Sequence, residues 1–203
     1  MTKQNKQLLR TLFFLSKSDI QQSGLVVGNM YGFHFATYTC LEHRCVKGPL
    51  TLEEELEHIQ QILEKGTSKS VIIYPVPGLP SILNQFHKLE KMELASDLLC
   101  HINKLDQLCK NHKKMLIVVG YLPVTQGKYL SDSEASQVNE SLMYIDGVLK
   151  SNNMFKKRLT RYFPAVENLK SPEIRKCGIY PTSTCYRRMG QMVRDYIFRT
   201  GFE

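Results

Sequence analysis

Positive charge is concentrated in the last quarter of the chain, from Lys150 to Glu203. This tail holds twelve of the 27 Lys and Arg residues but only four of the 19 Asp and Glu residues, so the net charge of +8 arises entirely within it. Eight Phe and Tyr residues are interleaved with these charges. Because cations neutralise phosphates and aromatic rings stack on planar groups, this composition predicts a surface that binds polyanions.

Ten basic residues are the candidates for polyanion contacts. The last helix is predicted over Thr184 to Arg199, with its arginines opposite its apolar arc. Its only acid is Asp195, whereas solvated faces usually mix both signs, so we expect the arginines to point outward within one basic tract. The ten candidates are Arg158, Arg161, Arg175, Lys176, Arg187, Arg188, Arg194, Arg199, Arg44 and Lys47.

A metal site is a second kind of chemistry that the sequence brings up, because Cys40, His43 and Cys45 lie close together. Structural zinc needs four ligands, usually in paired spacings. The segment from Phe33 to Val46 is rich in strand formers, and in a strand Cys40 and His43 would point to opposite faces. We therefore expect no metal and no cofactor, and we expect the six cysteines to be free thiols in a reducing compartment.

Two helices begin with the residue spacing of a capping box. Thr51 precedes Glu54, and Ser131 precedes Glu134, so each pair can cap the first turn of a helix. Lys65-Gly66 is expected to end the first of these helices.

A longer helix is predicted between them, from Leu89 to Asn111. Its cysteines are expected in the core beside exposed histidines, as at Cys100 and His101. Its predicted inner stripe is Met92, Ala95, Leu99, Ile102, Leu105 and Cys109.

Short apolar runs predict the strands. Ser70 to Tyr74 and Met115 to Val119 are continuous and rich in β-branched residues, which is typical of strands buried on both faces. Gly24 to Gly32 is interpreted as a strand and a turn, and Phe33 to Val46 as a further strand. If Met154 to Leu159 is also a strand, its alternation turns one of its two lysines inward.

The alternation of helices and apolar strands predicts an α/β fold, a three-layer α/β/α sandwich with a parallel central sheet. We expect residues 1–203 to form a single domain. No apolar run approaches the roughly 20 residues of a membrane-spanning helix, and the polar start lacks the apolar region of a signal peptide. We therefore expect a cytoplasmic protein that does not bind membranes.

Three short blocks resemble those of the SGNH (GDSL-type) hydrolases. In that family a D-x-x-H pair precedes the last helix, and the matching places here are Cys177 and Tyr180. Leu15 to Asp19 is similar to the first block, in which Ser18 would align with the nucleophile. The family's G-x-N-D block falls at Tyr74 to Gly78, where its asparagine is absent. The resemblance implies an SGNH-hydrolase-like scaffold.

The catalytic groups of that family are harder to find in this sequence. A serine hydroxyl is a weak nucleophile unless a neighbouring base takes its proton. All six histidines precede Lys113, so none is near the last helix in the sequence, and a tyrosine with an ordinary pKa of about 10 is a poor base. We therefore predict that the chain is not an enzyme. An esterase that uses Ser18 with another base remains an alternative.

The whole pattern resembles the OSK domains of the Oskar family of insect germ-plasm organisers. It covers nearly all 203 residues as an order of elements, and is most specific at the degenerate blocks and at Tyr196 to Phe202. The resemblance implies messenger RNA binding through basic residues, with 3′ untranslated regions as targets, and other germ-plasm proteins as partners. It also implies that the chain is the C-terminal part of a longer protein, with a role in maternal mRNA localisation within cytoplasmic ribonucleoprotein granules. A scaffold for acidic proteins or anionic membranes is a further alternative.

Overall fold

The computed structural model describes residues 24–39, 41–47, 50–76, 91–156, 160–165 and 178–200, with side chains up to residue 196 in the last range. Strands and helices alternate along the chain. The strands are β1 (Gly24–Gly28), β2 (Glu42–Cys45), β3 (Val71–Pro75), β4 (Met115–Val119) and β5 (Thr160–Phe163). The helices are α1 (Met30–Thr39), α2 (Leu52–Glu64), α3 (Lys91–Asn111), α4 (Asp132–Ser151) and α5 (Ser183–Thr200), with a 3₁₀ turn at Asn153–Lys156.

The five strands form one parallel sheet in the order β2-β1-β3-β4-β5. Ile72 lies opposite Leu25 on one side and opposite Leu116 on the other, which fixes the register of the central strands. Every residue of β1 and β3 is buried, as their continuous apolar sequences predict.

Helices cover the sheet on both faces. One apolar core lies between the sheet and α2, α3 and α4, with Ile59, Ile102 and Leu142 among its buried members. The second lies between the sheet and α1 and α5, around Phe35 and Met189. The predicted three-layer α/β/α sandwich with a parallel central sheet is therefore confirmed.

Both predicted capping boxes are present. The Thr51 hydroxyl accepts the Glu54 N–H at 3.2 Å, and the Glu54 carboxylate accepts the Thr51 N–H at 2.8 Å. Ser131 and Glu134 repeat the arrangement at 3.3 and 2.8 Å. Gly66, with a φ of +81°, ends α2 where the sequence predicts.

The strand predicted over Phe33 to Val46 is wrong for its first half, where α1 forms instead. The chain leaves β1 at Gly28, and the Asn29 side chain accepts the Tyr31 N–H at 2.9 Å, which caps the new helix. Packing of the apolar face of α1 on the sheet outweighs the strand preference of its aromatic residues. Only Glu42–Cys45 is a strand.

Two further elements differ from prediction. The segment Met154 to Leu159, considered as a possible strand, is a 3₁₀ turn at its start, with Lys156 exposed, and residues 157–159 lie outside the described ranges. In α3, Met92 is 66% exposed, although it was expected on the inner stripe. Cys100 is exposed and His101 is 4% exposed, the reverse of the predicted arrangement.

Helices α1 and α5 approach closely at Gly190. A Cβ atom added there would overlap the side chain of Thr39 on α1. The glycine therefore lets the two helix backbones come together over the sheet.

We predict that Gly190→Ala lowers the free energy of unfolding by about 1–3 kcal/mol, the usual cost of overpacking. Gly147→Ala on α4 is the matched control, because a Cβ there meets no heavy atom within 4 Å. That control should raise stability by about 0.5–1 kcal/mol, since alanine is the better helix former. Urea denaturation measures both. Equal stability changes in the two variants would contradict the close packing of α1 on α5.

Candidate functional site

Four of the ten basic candidates are exposed. Arg187 and Arg188 lie side by side on α5, and Arg44 and Lys47 lie in and just after the edge strand β2. Arg158, Arg175, Lys176 and the side chain of Arg199 lie outside the described residues. The RNA-binding role of all ten stays a prediction.

Arg194 does not point outward as predicted. Its guanidinium donates to the backbone carbonyl of Thr39 at 2.7 Å and to the Gln191 side chain at 3.1 Å, and it is partly buried. On an isolated helix Arg194 lies opposite the apolar arc, but in the fold α1 lies beside it. Arg194 therefore ties α5 to the last residue of α1.

Arg161 also lies far from the exposed candidates on β2. It lies on β5, at the sheet edge opposite β2, about 19 Å away at the usual strand spacing. Its Nε is buried without a hydrogen-bond partner among the described residues. Burial raises the pKa of Tyr196, and the charge of Arg161 opposes that rise. The described candidates therefore do not form one continuous tract.

Most of the tail aromatics that the structure describes belong to the core. Phe155, Tyr162, Phe163 and Tyr186 are between 0 and 8% exposed. Both faces of the sheet are covered, so neither face of β5 offers a ring to solvent. A place beside the cations on a polyanion surface is therefore wrong for Phe155, Tyr162 and Phe163, whereas Tyr186 lies on the apolar arc of the last helix, which was expected to face the core.

The block that resembles the closing block of the hydrolases lies near a histidine. The rings of His34 on α1 and Tyr180 are 5.4 Å apart between centroids, and His34 is 6.3 Å from Tyr186 on α5. Thr125, after β4, donates its N–H to the Gly178 carbonyl at 2.9 Å, which holds the block at the carboxyl end of the sheet. Helix packing thus brings to the last helix a histidine that is far from it in sequence.

A buried acid–base cluster lies on the other face of the sheet. The Tyr74 hydroxyl is 2.7 Å from Glu55 Oε2 and 2.9 Å from His101 Nε2, and the carboxylate and imidazole are 3.7 Å apart. A Cβ on Gly28 would lie 3.1 Å from Glu55 Oε1, so the glycine that ends β1 leaves room for the carboxylate. The cluster joins α2, β3 and α3 near the carboxyl ends of the central strands, where open α/β sheets bind ligands.

Burial shifts the pKa values of this cluster in opposite directions. It raises the pKa of Glu55 to about 7, although the Tyr74 hydroxyl and the Asn29 backbone N–H favour the charged carboxylate. It lowers the pKa of His101 to about 4, helped by the charge of Lys104 and opposed by a hydrogen bond with the Leu52 backbone. Near pH 5.5 the buried pair is therefore a neutral acid and a neutral imidazole.

The sequence analysis missed this cluster, although the helix period contains the signal. Glu55 precedes Ile59 and Ile62 by four and seven residues, so it lies on the apolar face of α2. His101 follows Leu98 and Leu94 by three and seven residues, so it lies on the apolar face of α3. Polar residues that recur at helical spacing with the apolar face of a helix are therefore candidates for buried functional groups.

The raised pKa of Glu55 predicts a pH-dependent stability. Its folded-state pKa of about 7 exceeds the ordinary 4.5, so its contribution is fully present below pH 4.5 and is lost as pH rises through 7. The lowered pKa of His101 acts oppositely: its contribution is present above pH 6.5 and is lost as pH falls through 4.

Glu55→Gln should therefore gain stability relative to the natural chain, by roughly 1 kcal/mol, between pH 6 and pH 8, because glutamine cannot ionise. Urea denaturation at several pH values measures the difference. Glu54→Gln is the control, because Glu54 is exposed and its pKa is lowered by the Thr51 backbone N–H. A Glu55→Gln difference that does not vary over this range would contradict the raised pKa.

Metal ligation has little support from the residues near β2. The Cys45 thiol lies 3.5 Å from the Val26 carbonyl, and burial raises its pKa to about 12. Within the described ranges no three His, Cys, Asp or Glu side chains converge in a metal-binding group. Cys40 lies outside those ranges, so the absence of zinc stays a prediction. None of the described helices combines the length and apolar character needed to cross a bilayer.

Three solved structures with a similar fold are named for hydrolytic activities. A protein described as an acylhydrolase from Bacteroides fragilis has a TM-score of 0.66, 14% identity and 96% coverage of both chains. A GDSL-like lipase from Bacteroides thetaiotaomicron has a TM-score of 0.64 and 11% identity, covering 96% of this chain and 97% of its own. Est24, a carbohydrate acetylesterase from Sinorhizobium meliloti, has a TM-score of 0.62 and 13% identity, covering 87% and 98%. No protein-family model and no curated protein matches the sequence.

These likenesses define the class of the scaffold: the chain has the fold of the SGNH (GDSL-like) hydrolases. They contradict the prediction that the chain is not an enzyme, because the similar structures include an esterase and a lipase. That prediction considered only how far the histidines are from the last helix in the sequence. In the fold, the ring of His34 lies 6.3 Å from the ring of Tyr186 on that helix. Ser18 and Cys177 lie outside the described residues, so a loss of catalytic groups is not shown.

Proposed function

We propose that the chain binds RNA through exposed basic residues on its hydrolase-like scaffold. The observation that carries the proposal is the adjacent pair Arg187 and Arg188, exposed on α5. Asp195 is the single acid in the sequence of that helix, so its arginines outnumber it and positive charge dominates the outer side of the helix. Guanidinium groups bind phosphates well.

The finer part of the proposal comes from the resemblance to the OSK domains of Oskar proteins. The RNA would be messenger RNA bound in 3′ untranslated regions, and the chain would act with other germ-plasm proteins in cytoplasmic granules. In the same proposal, residues 1–203 are one domain of a longer protein that contributes to maternal mRNA localisation. Fold alone does not determine function, so the surface must be tested directly.

Arg187→Glu with Arg188→Glu should weaken RNA binding at least about tenfold near 0.1 M salt, because two phosphate contacts become repulsive. Filter binding with a labelled RNA of mixed sequence measures the change. Lys65→Glu with Lys104→Glu is the matched control, since both lysines are exposed on the other side of the molecule and the net charge changes equally.

Equal losses in the two double variants would contradict a role specific to α5. Binding of the natural chain to vesicles of acidic lipid, but not to RNA at equal salt, would favour a scaffold for anionic surfaces instead.

Ester hydrolysis is the second candidate function. The contact between His34 and Tyr180 at the closing block favours it, together with the esterases that share the fold. In this candidate Ser18 is the nucleophile and His34 the base that takes its proton.

This candidate predicts turnover of a chromogenic short-chain ester that Ser18→Ala abolishes. His34→Gln should lower it about a hundredfold or more, the usual contribution of a general base. His112→Gln is the control, because His112 lies between α3 and the start of β4, at the amino end of the sheet. Turnover unchanged in the Ser18 and His34 variants would eliminate this mechanism.

A further inference from the structure

Helix α1 carries no acidic and no Lys or Arg side chain, although it lies in an outer layer. Its inner residues Tyr31, Phe35 and Ala36 are buried against the sheet and α5. Phe33 is partly exposed and Thr37 is exposed on its outer side. A surface helix normally places charges outward, so an uncharged outer side is typical of a face that meets another surface.

Phe33 packs against the edge of the sheet beside cations. Its ring centroid is 5.1 Å from that of His43 on β2, with the planes at 88°, and Lys47 Nζ lies 4.5 Å from the Phe33 centroid. His43, Arg44 and Lys47 are all exposed. Two rings and one cation thus lie together at this edge of the sheet, whereas Arg44, which follows His43 on β2, points to the opposite face.

The nearby acid does not cancel this charge. Glu42, at the start of β2, pairs with Lys69 at 3.0 Å, so one carboxylate is already balanced by one ammonium group. The edge therefore combines net positive charge with exposed aromatic surface. Its complement is a polyanion that also carries flat, apolar faces.

We infer that Phe33, His43 and Lys47 form a binding site for an unpaired nucleotide, which makes single-stranded RNA the substrate class. The inference rests on the proposed RNA binding. In a duplex the base faces are stacked on each other, so protein rings reach them only where the bases are unpaired. The base stacks on one of the two rings of Phe33 and His43, whose planes are perpendicular, while Lys47 contacts a phosphate.

This site supplies the aromatic surface that the tail does not. The tail rings at positions 155, 162, 163 and 186 are in the core, whereas the rings at 33 and 43 reach solvent. Because α1 packs on α5, the helix with the exposed arginine pair, RNA bound along α5 is on the same face of the sheet as Phe33.

A similar pair elsewhere in the chain provides the control. Lys128 Nζ lies 5.4 Å from the ring centroid of Tyr129, which is 58% exposed. This pair precedes α4, in the layer on the opposite face of the sheet. Loss of its ring tests whether any exposed ring beside a lysine contributes.

The experiment is fluorescence anisotropy with a labelled twelve-nucleotide oligouridylate and an RNA duplex of equal length. Phe33→Leu keeps apolar packing but removes the ring, and should weaken single-strand binding at least about fivefold without changing its salt dependence. Lys47→Gln should lower the slope of log affinity against log salt by about 0.7. Tyr129→Leu should match the natural chain. Thermal melting confirms that each variant is folded, and His43→Ala replaces Phe33→Leu if that variant unfolds.

The outcomes separate the two proposals. If the natural chain binds neither RNA, both are overturned. If it binds the oligonucleotide and the Phe33, His43 and Lys47 variants bind equally well, this site is wrong while the proposed function stands. Equal affinity for the duplex would overturn single-stranded RNA as the substrate class.

Discussion

The close contact between α1 and α5 determines what this scaffold presents to solvent. Gly190 lets the helices approach, and the Arg194 guanidinium donates across the interface to the Thr39 carbonyl at 2.7 Å. That packing directs Tyr186 and Met189 into the core, leaves Arg187 and Arg188 outside, and carries His34 to the closing block. The packing of α1 on α5 thus positions both the exposed arginine pair and the histidine that lies beside the closing block.

The regular parts of the fold could be predicted because local sequence and tertiary packing agree there. Val71–Pro75 and Met115–Val119 are continuous apolar runs, which are typical of strands buried on both faces. The two capping boxes depend only on hydrogen bonds between residues three apart in the sequence. Helix α1 could not be predicted from the secondary-structure preferences of its residues, because its aromatic residues favour strands. Its packing against the sheet and α5 stabilises the helix instead.

The candidate site was less predictable because its geometry depends on contacts between distant segments. Arg194 falls on the outer side of an isolated helix, yet Thr39, 155 residues earlier, accepts its hydrogen bond. His34 is remote from Tyr180 in the sequence and adjacent to it in space. His101 was predicted to be exposed and Glu55 was not singled out, although both residues lie on the apolar faces of their helices. The similar structures are named for hydrolytic activities, and at 11 to 14% identity they show that this chain shares their fold.

The most direct test of the central claim, that this hydrolase-like scaffold binds RNA on its α1–α5 side, is protein–RNA crosslinking followed by mass spectrometry of the crosslinked peptides. The account predicts crosslinks in peptides from α5 and from the segment Met30 to Lys47. Crosslinks confined to α2, α3 and α4, or their absence in a folded chain, would contradict it.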